Sequence, residues 1–221
     1  MSITLGFDIY GTLIDPYGVT TKLAEYTDQS AEFARIWRDK QLEYTFKRGL
    51  MRRYENFAVC TRNALDYTDG LLQTSLDEDA KQALMETYRV LPAFDDVADS
   101  LKVLKQAGFR LFGFSNGLQN AVEGLLEHAG IGEYFEGAVS VDDLQTFKPN
   151  PDVYHYFIKT TGSDTDNAWL VSSNPFDVQG AINIGMKAAW LQRSHNVVFD
   201  PWGIEPTIQI KSLAELPELI S

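Results

Sequence analysis

Four short segments hold the side chains that could do chemistry: Asp8-Ile9-Tyr10-Gly11-Thr12, Ser115-Asn116-Gly117, Lys148-Pro149 and Ser172-Ser173-Asn174-Pro175-Phe176-Asp177. Together they supply a carboxylate nucleophile, hydroxyl and amide donors for an anion, a cation to hold the nucleophile ionised, and a second carboxylate to manage water. That is the inventory of a hydrolase. Each piece also has a plainer role: Thr12 caps a turn, Ser115 and Asn116 cap the next helix, Lys148 is a solvated surface charge and Asp177 is an N-cap. Singly, the plainer roles are the better reading. The order and placement of the four segments favour a site.

The elements that must position these residues follow from the hydrophobic pattern. Ile3 to Ile9 form a short apolar run closed by the turn signal Tyr10-Gly11-Thr12, which predicts a buried strand delivering Asp8 at its C-terminal end. From about Thr20 to Arg89 the strand signal disappears, and apolar residues recur at helical spacing. After Leu91-Pro92 the chain alternates. Helices are predicted at 96–106, 118–129, 151–161 and 177–184, and strands at 109–114, 137–140, 168–171 and 187–191, the pattern of a parallel sheet with crossover helices. A first strand cut off from its sheet by some seventy helical residues implies a helical domain inserted after it. The tail SLAELPELI reads as a short amphipathic helix. In such a sheet each of the four segments ends a strand, where one crevice collects them.

Bulk properties narrow the partners. The chain has 221 residues, 44% of them hydrophobic and 23% charged, which suits an ordinary globular protein with a full core. The formal net charge of −12 disfavours nucleic acid and anionic membrane, so an anionic substrate must meet a local positive site. The single cysteine, Cys60, excludes an internal disulfide and multi-cysteine metal motifs. The start MSITLGFDIYGTL has neither the basic segment nor the apolar length of a signal peptide or anchor, and a cytoplasmic location is expected.

The motifs DxYGTL, SNG, KP and SSNxxD, in this order, resemble the haloacid dehalogenase superfamily, and specifically its L-2-haloacid dehalogenase branch, over nearly the whole chain. The core motifs are shared with phosphatases of the superfamily and imply only an aspartyl-ester mechanism. The branch rests on other residues. The phosphatases carry a second Asp two places after the nucleophile, which serves as acid and magnesium ligand; here Tyr10 stands there, and a phenol is a poor acid near neutral pH. Ser172-Ser173-Asn174 replaces the acidic cluster that completes the magnesium site, so the expectation is no metal and no cofactor.

The resemblance implies an α/β fold, a Rossmann-like parallel sheet core at 1–14 and 92–221 with an inserted helical cap domain at 15–91. Trp37-Arg38-Asp39-Lys40-Gln41-Leu42-Glu43-Tyr44 and Tyr54-Glu55-Asn56-Phe57 resemble the cap of the same branch. By helical spacing alone Arg38 would face water and Leu42 and Phe57 would be core; by resemblance Arg38 receives the departing halide, for which a guanidinium fork is well suited. Ile9, Tyr10, Leu42, Phe57 and Phe176 would line the pocket, with Ser115, Asn116 and backbone amides holding the substrate carboxylate. Asp8 would attack C2 and expel halide toward Arg38 and Asn116, inverting the carbon. Lys148 would hold Asp8, Asp177 would activate water against the ester, and Thr12, Ser172 and Asn174 would keep carboxylates and water in register. Tyr154 matches a tyrosine near the site.

The implied substrate is a small carboxylate, and a homodimer stays open. The chain departs from the branch at Asp39, which stands where a glutamine is usual. Asp39 either pairs with Arg35 or Lys40 at the surface or recognises a cationic group. The second option would suit hydrolases that open the ring of azetidine-2-carboxylate, where an amine leaves. A phosphatase, or a superfamily member without catalysis, is the remaining alternative; Tyr10 counts against the first, and the intact set Asp8, Lys148 and Asp177 against the second.

Overall fold

The structure is a computed structural model and describes residues 2–220. The described residues form a six-stranded, all-parallel sheet in the order β3-β2-β1-β4-β5-β6. The strands are β1 (Thr4–Phe7), β2 (Arg110–Ser115), β3 (Gly137–Ser140), β4 (Ala168–Ser172), β5 (Lys187–Leu191) and β6 (Ile208–Ile210). Strand β1 is central and buried on both faces, as its uninterrupted apolar run requires. Gly6 is obligatory there, because a Cβ would lie 2.6 Å from the Phe157 ring. With β2 on one side of β1 and β4 on the other, the strand order reverses at β1, and the crevice beyond its C-terminal end is the sheet's topological switch point.

Between β1 and β2 the chain runs through α1 (Thr20–Leu23), α2 (Ser30–Met51), α3 (Phe57–Leu72) and α4 (Glu78–Tyr88), then α5 (Val97–Gln106). Asn56 caps α3 by accepting from Val59 N at 3.1 Å, and Asp77 caps α4 by accepting from Ala80 N at 2.8 Å. The remaining long helices are α6 (Gln119–His128), α7 (Pro151–Thr161) and α8 (Pro175–Asn183). One apolar cluster runs without a break from the sheet residues Leu5 and Phe7 through Leu13 and Ile14 into Trp37, Leu65, Leu84 and Tyr88 of the helical segment. That continuity holds α2 and α3 over the carboxyl end of the sheet.

The α/β class and the parallel sheet agree with the hydrophobic pattern, with boundaries of the strands and crossover helices that coincide or shift by one or two residues. Two details differ. Strand β6, only three residues long at the sheet edge, escapes the pattern because so short a run has no readable period. Helix α8 begins at Pro175 rather than Asp177, so Asp177 lies in its first turn and Asn174 takes the N-cap position. The tail forms a 3-10 turn at Leu213–Glu215, capped by Ser212, followed by α9 (Leu216–Leu219).

Candidate active site

Asp8 follows β1 directly, and its backbone N–H still pairs with Val171 O at 3.0 Å, so the sheet itself fixes its position. Its two carboxylate oxygens have different surroundings. Oδ2 accepts from Thr12 Oγ1 at 2.8 Å and from Asn174 Nδ2 at 2.8 Å. Oδ1 faces Lys148 Nζ at 3.3 Å. Gly11, at φ +90, makes the tight turn that brings Thr12 back under Asp8. Asn174 is a helix N-cap by position, yet its side chain makes no cap bond, because its amide is turned to Asp8 and to Tyr10 O at 3.3 Å.

Lys148 is buried with three acceptors around its ammonium: Phe114 O at 2.8 Å, Asp177 Oδ2 at 2.8 Å and Asp8 Oδ1. The Phe114 ring, 4.1 Å from Nζ to centroid, adds a cation–π contact. A buried charge without partners would be very costly, so two carboxylates and a carbonyl explain how a lysine sits here. Asp177 is fully enclosed, and its other oxygen accepts from the Tyr154 hydroxyl at 2.8 Å. Burial, and the charge of Asp8 beyond it, push the Asp177 carboxyl above the usual carboxylate range against the opposing pull of Lys148 and Tyr154. A carboxylate raised in this way is a better proton acceptor than a free one.

The SNG segment ends β2 and leads into α6. Asn116 Oδ1 accepts from Lys148 N at 2.9 Å, and Ser115 Oγ accepts from Gly117 N at 3.0 Å. These bonds fix both side chains while leaving the serine proton and the asparagine amide as donors, beside the N-terminus of a helix, a favourable place for an anion. Ser172 Oγ accepts from Asn174 N at 3.1 Å and so orders the loop that carries Asn174.

The helical segment contributes Arg38 from α2. This buried guanidinium donates to Gln41 Oε1 at 2.7 Å and reaches across to Tyr10 O at 3.0 Å. Leu42 lies one turn further along α2, beside Arg38 in a cleft of about 460 Å³. Tyr10 and Phe57 stack with ring centroids 5.6 Å apart, and both border a second cleft of about 520 Å³ between α3, α4 and α6. Phe176 packs edge-on against Phe46 of α2 at 5.0 Å, in a third cleft that reaches Lys148. Ile9 is wholly buried in the core under the site, its Cδ1 3.4 Å from where a Cβ on Gly113 would stand. Burial and the neighbouring Tyr88 push the Tyr10 phenol well above its ordinary value, so it stays protonated at neutral pH. Cys60 is no rival nucleophile, since burial pushes its thiol up to about 11.

Asp39 stands apart from the other predicted residues. It is well exposed at the mouth of the Arg38 cleft and forms an ion pair with Arg35 at 3.0 Å. Four contributors went unnoticed in the sequence. Ser173, given no role of its own within its segment, donates through its backbone N to Thr12 Oγ1 at 2.9 Å. Arg193 clamps Thr12 O with two nitrogens, at 2.6 and 3.0 Å, and ties that loop to Asp96. Gln41 and Tyr88 support Arg38 from behind. An isolated Arg after a predicted strand and a Gln on a charged helix carry no sequence signal of this kind.

No three His, Cys, Asp or Glu side chains converge among the described residues. At Asp8 the neighbouring groups are an amide N–H and a hydroxyl, which donate hydrogen bonds where a hard cation needs oxygen anions. The arrangement leaves Asp8 free to meet an electrophile and sets a second, enclosed carboxylate, Asp177, on the far side of Lys148.

A switch-point crevice holding two carboxylates on either side of a buried lysine is the site of a hydrolase. The family model for haloacid dehalogenase-like hydrolases matches residues 4–185, and the chain belongs to that family. An (S)-2-haloacid dehalogenase of Pseudomonas putida is 39% identical over 211 residues, 95% of this chain and 92% of that protein. The haloacetate dehalogenase H-2 of a Moraxella species is 34% identical over 98% of this chain and 97% of its own. The solved structure of the L-2-haloacid dehalogenase of Xanthobacter autotrophicus, with chloropropionic acid covalently bound, superposes with a TM-score of 0.93 at 30% identity, covering 100% of this chain and 98% of that one.

Proposed function

We propose that this protein is an (S)-2-haloacid dehalogenase, converting a small (S)-2-haloacid and water into the inverted 2-hydroxy acid, halide and a proton. The observation that carries the reading is Lys148, held between Asp8 and Asp177 at 3.3 and 2.8 Å. It keeps one carboxylate poised against carbon and the other behind it for water. The names of the similar proteins, and the chloropropionic acid bound covalently in one of them, support the same substrate class.

In the proposed sequence an Asp8 oxygen attacks C2 from the face opposite the halogen. The C–X bond breaks, and halide leaves with its electron pair toward Arg38 and Asn116. Ser115 and the amides at the start of α6 hold the substrate carboxylate, and Tyr10, Leu42, Phe57 and Phe176 exclude water around the reacting carbon. Asp177 then takes a proton from water as that water attacks the Asp8 carbonyl carbon. The ester breaks, the departing oxygen, which came from Asp8, takes the proton held by Asp177 to give the hydroxy acid, and Asp8 is restored as a carboxylate with release of the water's second proton. Thr12 and Asn174 hold Asp8 in place in both steps. Halide is favoured over a protonated amine as leaving group because Arg35 already neutralises Asp39. The reading takes 15–91 as the cap domain and 1–14 with 92–221 as the core.

The test is a halide-release assay on the separate enantiomers of 2-chloropropionate, with the product's configuration determined. Release from the (S) acid alone, giving (R)-lactate, is expected. Turnover of azetidine-2-carboxylate or an aryl phosphate without halide release from either enantiomer would overturn the reading.

A further inference from the structure

We infer that Gln41 is the positioning residue that aims Arg38, and that it does so by registering α2 against α3. Gln41 lies on α2 three residues after Arg38, on the same face of the helix, and is completely buried. Its Oε1 accepts from Arg38 Nη1 at 2.7 Å and from the Tyr88 hydroxyl at 3.3 Å. Its Nε2 donates to Thr61 Oγ1 of α3 at 2.6 Å. The amide orientation is dictated from outside. Thr61 gives its own hydroxyl proton to Phe57 O at 2.8 Å, so toward Gln41 it can only accept. The nitrogen of Gln41 must therefore face Thr61, and its oxygen must face the guanidinium.

The same threonine also accepts from the Trp37 indole through its carbonyl at 2.8 Å. Arg38 and Phe57, two of the side chains that the helical segment sends to the substrate, are thereby tied through Gln41 and Thr61 into one hydrogen-bonded unit. The second end of the guanidinium is fixed by Tyr10 O at 3.0 Å, on the loop that carries the nucleophile. Held at both ends by neutral acceptors, Arg38 keeps its full charge and its other N–H groups for an anion. A carboxylate in place of Gln41 would pair with that charge and weaken it. A neutral amide orients the guanidinium without competing with the halide.

The inference rests on the proposed halide role of Arg38, so the experiment separates the two. Single-turnover ester formation is measured with (S)-2-chloropropionate and (S)-2-bromopropionate for Gln41→Leu, Arg38→Lys, Thr61→Val and Thr61→Ser. Loss of a hydrogen bond to a charged group should slow the step about tenfold or more. The loss should fall in kcat rather than KM and be larger for chloride, the poorer leaving group. Thr61→Val should show a smaller loss of the same halide dependence, and Thr61→Ser, which keeps the hydroxyl, should restore the wild-type rate. The threonine pair carries the test even if Gln41→Leu folds poorly. A halide-dependent loss in Arg38→Lys, with equal rates or an equal loss for both halides in the Gln41 and Thr61 variants, would overturn the role of Gln41 alone. Arg38→Lys without halide dependence would overturn the role of Arg38 itself, and with it the inference.

Discussion

The hydroxyl of Tyr154 donates to Oδ1 of Asp177 across 2.8 Å, and neither side chain has measurable contact with solvent. Burial first, and then the Asp177 charge, hold the phenol well above its usual value, so it remains a donor at every relevant pH. A donor to the ionised carboxylate favours ionisation, and its removal must raise an Asp177 carboxyl that burial has already raised. Ester hydrolysis needs the ionised form and is lost as pH falls through that value. Its acid limb should therefore lie above the ordinary carboxylate range, and Tyr154→Phe should move it to still higher pH while leaving ester formation little changed. Single-turnover hydrolysis followed across pH checks this; an unmoved limb would deny the contact its role.

Gly180 lies three residues after Asp177 in α8, and a Cβ there would meet Tyr154 Oη at 2.3 Å and two ring atoms at 2.6 Å. The ring is enclosed and has no room to retreat. Gly180→Ala should cost about 1–3 kcal/mol through overpacking, seen as a lowered thermal midpoint. It should also shift the acid limb of hydrolysis upward, as Tyr154→Phe does, because the displaced hydroxyl leaves Asp177.

At Asp8 Oδ2 the Asn174 amide is a hydrogen-bond donor at 2.8 Å. Asn174→Asp would turn that donor into a second negative oxygen against the nucleophile, and ester formation should fall about tenfold or more. The wild-type protein should keep its rate in excess EDTA. Complete loss on chelation, with recovery on adding magnesium, would contradict the donor arrangement around Asp8.

Asp39 and Arg35 are both more than half exposed, and an i,i+4 pair of this kind contributes about 0.3–0.5 kcal/mol. Asp39→Ala should leave the melting temperature nearly unchanged and alter halide release by about twofold at most. A large loss would return a substrate-recognition role to this residue.

Much of the site was legible because its residues lie at, or in the connections that follow, the carboxyl ends of strands. Asp8, Ser115, Lys148 and Asp177 each follow an apolar run or a turn signal, and a parallel sheet brings such ends together wherever its helices lie. Arg38 was legible only through resemblance; on a helix as polar as α2 nothing in the spacing distinguishes a buried arginine from a solvated one. Gln41, Tyr88 and Arg193 were hidden for a related reason. Their roles depend on which side chain of another element they meet, and the sequence pattern reports burial and period, not partners. Strand β6 was lost to its length, and Asp177 could pass for a helix cap because it lies in the first turn of α8, whose cap position Asn174 takes.

The central claim is that Asp8 becomes esterified, and the origin of the product oxygen tests it directly. With enzyme in excess over (S)-2-chloropropionate in heavy-oxygen water, the lactate of the first turnover should carry no label in its new hydroxyl. The peptide containing Asp8 should gain one heavy oxygen, because water enters at the Asp8 carbonyl carbon. Lactate fully labelled in the first turnover, with no label on Asp8, would mean direct attack by water and would contradict the account.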